Sequence, residues 1–153
     1  MKILKKIIYI LALVLITSCG YEPIFSKKNY NFSIAKIDTY GDKNLSNKIA
    51  RNLNNINKLN NSNKIIELKI DTSYNKLISS KDNKGDPKTF SIEVVSTVTI
   101  ISDKLNETRI FKESSNYNSR PSKFDLKKYE KKLINNMIKK ISEKLINSLQ
   151  ILL

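Results

Sequence analysis

The stretch from Lys64 to Ser102 constrains the fold more than any other part of the chain. From Lys64 to Ser80 the residues alternate, with Ile66, Leu68, Ile70, Thr72, Tyr74 and Ile78 in one phase and Glu67, Lys69, Asp71, Ser73 and Asn75 in the other. A period of two with one apolar side predicts a half-buried antiparallel strand. The run Lys81-Asp-Asn-Lys-Gly-Asp-Pro-Lys88 consists of residues that favour turns. Thr89 to Ser102 then alternates again, with Phe90, Ile92, Val94, Val98 and Ile100 facing one way and the β-rich Val95, Thr97, Thr99 and Ile101 the other. The two runs predict one long hairpin. Strands of about fourteen residues at ~3.3 Å each reach ~45 Å, so the tip is expected to project from a small domain.

The remaining elements supply a cover for that hairpin. Phe32, Ile34, Ala35, Ile37 and Thr39 predict a first strand ending at Tyr40-Gly41-Asp42, and Asp42 and Asn44 are suitable caps for a following helix. Leu45, Ile49, Leu53, Ile56 and Leu59 recur at three and four, which predicts a helix from Lys43 to Leu59. After the hairpin, Asp103-Lys-Leu-Asn106 predicts a turn and Glu107 to Tyr117 a fourth strand. Pro121 and Ser122 open the last element, a helix from Phe124 to Gln150 whose apolar stripe includes Leu126, Leu133, Met137, Ile141, Leu145 and Leu149. Its reverse face carries Lys127, Lys128, Lys131, Lys132, Lys139, Lys140 and Lys144. Such a helix can lie on an anionic membrane, but the sheet needs a cover of this width. The expected fold is α+β: a two-layer sandwich of a four-stranded, mainly antiparallel sheet and two helices in the order β-α-β-β-β-α.

The N-terminus follows different rules. Lys2, Lys5 and Lys6 make a charged head, Ile7 to Ile16 an apolar run, and Thr17-Ser18 a pair of small residues before Cys19, the single cysteine. This is the pattern of an export signal, too short to span a hydrocarbon layer of ~30 Å as a permanent anchor. Ile16-Thr17-Ser18-Cys19 resembles the bacterial lipobox. The resemblance implies cleavage before Cys19, a diacylglycerol on its thiol and an acyl chain on its new amino group. With Gly20 in place of aspartate after the cysteine, it also implies sorting to the outer membrane. Residues 1–18 are therefore expected to be a cleaved signal, 19–31 a lipidated tether, and 32–153 one domain.

Composition narrows the function classes. The net charge of +14 falls to +11 when the three signal lysines are removed, which fits an anionic lipid or polysaccharide; export past the inner membrane argues against nucleic acid as the partner. The chain has no histidine, and Cys19 is taken up by lipid, so a His-based triad and a Cys/His metal site are excluded. No carboxylate pair has the pattern of a hydrolase, and the protein is expected not to be an enzyme and to use no cofactor or metal.

Two short motifs complete the reading. Cys19-Gly20-Tyr21-Glu22-Pro23-Ile24-Phe25 resembles the Cys-Gly-aromatic-x-Pro-Leu-aromatic opening of the alphaproteobacterial branch of the LptE family, the lipopolysaccharide-assembly lipoproteins. Tyr117-Asn-Ser-Arg-Pro-Ser-Lys-Phe124 is similar to that branch's lead into its last helix. The resemblance implies a plug inside the LptD barrel, at the periplasmic side of the outer membrane, that assists delivery of lipopolysaccharide to the outer leaflet. Phosphate recognition requires cations, and the candidates are Lys81, Lys84 and Lys88 on the hairpin with Arg109 and Lys112 on the adjacent strand. The alternative is a structural lipoprotein that binds peptidoglycan or another envelope complex.

Overall fold

The computed structural model describes residues 30–57, 62 and 64–153. The signal, Cys19 and most of the expected tether lie outside these residues, as does Leu59. The chain enters the sheet as β1 (Ser33–Gly41), continues as α1 (Lys43–Asn57), and returns as β2 (Ile65–Lys81), β3 (Pro87–Ser102) and β4 (Leu105–Asn118) before α2 (Lys123–Leu152). Strand order is β1-β2-β3-β4, parallel between the first two and antiparallel in the others. This is the expected α+β sandwich with its long hairpin. The packed residues start slightly earlier than expected, because Tyr30 and Phe32 are both buried, with ring centroids 5.8 Å apart.

Local chemistry explains where the helices start. Asp42 Oδ1 accepts from the amides of Asn44 (3.0 Å) and Leu45 (3.1 Å), and Ser122 Oγ accepts from Asp125 N (3.2 Å), so each helix has a side-chain cap for its unpaired N–H groups. α1 lies over β1 and β2, α2 over β3 and β4, and the helices touch each other. Between them Asn52 Nδ2 donates to Ser142 Oγ at 3.0 Å. The core is the layer between helices and sheet: Ile49 and Leu53 from α1, Ile66, Leu68 and Ile70 from β2, Ile92, Val94 and Ile100 from β3, and Ile141, Leu145 and Leu149 from α2. The apolar stripe of α2 is thus spent on the core, and its lysines face outward.

The inward burial of β2 stops at Thr72, against the expectation that Tyr74 and Ile78 continue it. Ile78 is 50% exposed and neighbouring Leu77 60%. The cause is Gly41, with φ +68, where β1 turns away opposite Thr72 and the Asp42 amide donates to the Thr72 carbonyl at 2.7 Å. Beyond that point neither β1 nor α1 accompanies β2, and its last nine residues, 73–81, run on as an edge. On its other side the hairpin is backed for its whole length by β4, which pairs with β3 from Ser102↔Leu105 to Thr89↔Asn118.

Candidate functional site

The hairpin ends in a turn organised by Asp82. Its Oδ1 accepts from the amides of Lys84 and Asp86, both at 2.9 Å, while its own amide donates to the Asp86 carbonyl at 2.8 Å. Gly85 supplies the positive φ of +87 that closes the loop. Lys81 pairs with Pro87 across the hairpin, so Lys81, Lys84 and Lys88 are gathered at one exposed tip. Three lysines against Asp82 and Asp86 leave the turn at a net charge of +1, and the Asp82 carboxylate is engaged by the backbone.

Arg109 and Lys112 are not part of this group. Arg109 stands opposite Val98 and Lys112 opposite Val95, about 33 and 23 Å along the strand from Lys88 at ~3.3 Å per residue. They also point to opposite faces. Arg109 faces α2, donating from Nε to Glu107 Oε1 and from Nη1 to Ser148 Oγ, both at 2.6 Å. Lys112 lies on the uncovered face in an ion pair with Glu93 at 2.5 Å. Both are occupied with holding the sheet and its cover.

Below the tip the structure assembles a group from residues far apart in the chain. Lys76 points inward from β2 and bonds the carboxylate of Glu130 on α2, with its ammonium 4.4 Å from the Phe90 ring centroid. Tyr117 stacks on Phe90 at 5.4 Å and donates its hydroxyl to Glu130 at 2.6 Å. A lysine in the apolar phase of β2, between Tyr74 and Ile78, was the available signal. Burial opposes the charge on Glu130, but hydrogen bonds from Lys76 and Tyr117 outweigh it and hold the carboxyl below its ordinary value. Burial, then the bond to Glu130, pushes the Tyr117 phenol well above its ordinary value.

A pH dependence follows from the lowered carboxyl. Its contribution is fully present above the ordinary glutamate value and is lost as pH falls through the lowered one. Glu130→Gln is expected to reduce stability by about 1–3 kcal/mol at neutral pH. In urea melts the gap between the two proteins should be constant above about pH 6 and shrink in acid; a gap unchanged down to the acid transition would contradict this.

The two faces of the domain differ in charge. The uncovered face of the sheet carries Lys36, Lys69 and Lys112 against Asp38, Glu67, Asp71 and Glu93, so its charges nearly cancel, and the rest is mainly hydroxyl and amide, as in the Thr99–Thr108 pair at 3.1 Å, with Tyr40, Leu77 and Ile110 among its exposed large apolar side chains. The helical layer is basic: α1 has Lys43, Lys48 and Arg51 and no acid, and α2 exposes Lys127, Lys128, Lys131, Lys132 and Lys139. Among the described residues no group of three or more acidic or thiol side chains is arranged to hold a metal, and no helix is long and apolar enough to cross a membrane.

Known structures share this architecture. The rare lipoprotein B of Shewanella oneidensis superposes with a TM-score of 0.58 over 74% of this chain and 92% of its own, at 12% identity. A minor lipoprotein of Acinetobacter baumannii gives 0.56 over 81% and 93% at 9% identity. Lipoprotein B of Nitrosomonas europaea gives 0.58 over 86% and 90% at 12% identity. The chain has the fold of small bacterial lipoproteins. No protein-family model matches it, and no curated protein matches it in sequence. The expectation of a lipoprotein is thereby supported at the level of fold.

Proposed function

We propose that the protein is an LptE-type subunit, anchored to the outer membrane by lipid on Cys19, that seats in the polar interior of an LptD-like barrel and assists lipopolysaccharide on its way to the outer leaflet. The observation that carries this reading is the uncovered sheet face, close to neutral and mainly hydroxyl and amide around the exposed Tyr40, Leu77 and Ile110. The interior of an outer-membrane barrel is polar. A plug that brought many unpaired charges against it would lose their hydration without compensation. Hydroxyl and amide groups avoid that loss and exchange water for hydrogen bonds. The protein acts by binding and needs no catalytic group.

The lysine tip supplies the contact with anionic lipid. Lys81, Lys84 and Lys88 are exposed and form no ion pair with a carboxylate among the described residues, so their ammonium groups are available as point charges for phosphate. Arg109 and Lys112, being paired elsewhere, are left out of this role. Replacing all three tip lysines with glutamate is expected to weaken binding of purified lipopolysaccharide at least about tenfold at low salt, with the difference narrowing as salt is raised. Lys112→Gln should leave affinity as it is. Unchanged affinity in the triple variant rejects the tip as the lipid contact.

A further inference from the structure

Where β4 leaves the sheet and turns into α2, Thr89, Asn116, Tyr117, Asn118, Ser119, Arg120 and Tyr129 enclose an open cavity of about 430 Å³. This volume is in the range of small-ligand sites. We propose that this corner is a subsite for a phosphorylated sugar, with Arg120 as its phosphate ligand. The Arg120 guanidinium lies over the Tyr129 ring, 4.2 Å from the centroid. Unlike Lys76, Arg109, Lys112 and Lys144, which are all bonded to glutamates, Arg120 has no carboxylate partner among the described residues. A guanidinium resting on an aromatic face keeps its N–H donors for an acceptor from outside, and its planar fork matches two phosphate oxygens.

The rest of the corner fits the sugar. Asn116, Asn118 and Ser119 offer amides and a hydroxyl to ring hydroxyls, and Tyr129, packed between Arg120 and Tyr117, holds the guanidinium in place. Glu130, next to Tyr129 on α2, is paired with the Lys76 ammonium and accepts from the Tyr117 hydroxyl, which offsets its repulsion of an anion. The corner also adjoins the tip: Asn118 pairs with Thr89, and Ser119 N donates to the Lys88 carbonyl at 2.8 Å. A headgroup with more than one phosphate would therefore meet Arg120 and the tip lysines together. The inference rests on the glycolipid reading above for the identity of the larger ligand, and its test separates the two.

The test is a titration of the isotope-labelled full chain in detergent micelles with glucosamine 1-phosphate, followed by amide and arginine side-chain signals. The expected result is saturable movement of the Asn118, Ser119 and Arg120 signals. Affinity should fall at least tenfold for Arg120→Gln, less for Arg120→Lys, and at least tenfold for unphosphorylated glucosamine. Inorganic phosphate should bind more weakly than the sugar phosphate. Arg120 is exposed, so an unchanged melting temperature in both variants excludes misfolding as the cause. Equal affinity in Arg120→Gln, or equal binding of the unphosphorylated sugar or of inorganic phosphate, overturns the subsite. If lipopolysaccharide binds while glucosamine 1-phosphate does not, the subsite falls and the glycolipid reading stands. If the sugar phosphate binds at Arg120 but lipopolysaccharide does not bind, the subsite stands and the glycolipid reading falls.

Discussion

Gly41→Val will destabilise the protein by about 3 kcal/mol, more than any change to the tip. The left-handed conformation at φ +68 costs a residue with a side chain ~1–2 kcal/mol, and a β-branched residue is a poor candidate for it. Space adds to the strain. A Cβ at Gly41 would collide with the Asp71 side chain and the Thr72 carbonyl, which is the acceptor that ties Asp42 to β2. The change therefore disturbs the junction at which β1 ends, α1 begins and the hairpin becomes an edge. Gly85 provides the control. It too has positive φ, +87, but nothing lies within 4 Å of an added Cβ, so Gly85→Ala should cost only the backbone strain of about 1 kcal/mol. Urea midpoints measure both, and equal losses for the two variants would contradict this account of Gly41.

Cys19→Ser will have the largest effect on location. Each acyl methylene buried contributes about 0.8 kcal/mol to membrane attachment, and a single chain holds only weakly, so an anchor of several chains on one residue is durable and its loss is complete. The variant should accumulate as unlipidated, uncleaved precursor at the inner membrane, seen by mass and by fractionation. A processed, lipid-modified variant would contradict the assignment of Cys19. Tyr30 precedes Ser33, which pairs with Ile65 at the start of β2, so the described chain begins at the end of the sheet opposite the lysine tip.

Much of this architecture was legible in the residues. Alternation over Lys64 to Ser80 and Thr89 to Ser102 and the turn residues between predicted the hairpin, and Asp42 and Ser122 marked the helix starts within a residue. Alternation reports which side of a strand is apolar, but not whether anything covers it. That is why Tyr74 and Ile78 were expected inside: their exposure depends on β1 ending at Gly41, a tertiary fact. The parallel pairing of β1 with β2 was hidden for the same reason. Parts of the site were legible in the residues as well. Arg109 and Lys112, three residues apart on one strand, must face opposite sides, and Lys76 in an apolar phase required a partner such as Glu130. Arg120 gave no signal of its own, because its position over Tyr129 depends on how α2 docks.

The most direct test of the proposed function is purification of the native lipidated protein from outer membranes in mild detergent. An LptE-type subunit is expected to come out in stoichiometric complex with a large β-barrel, and the complex should survive gel filtration. Isolation as a monomer under every mild condition tried would contradict the assignment.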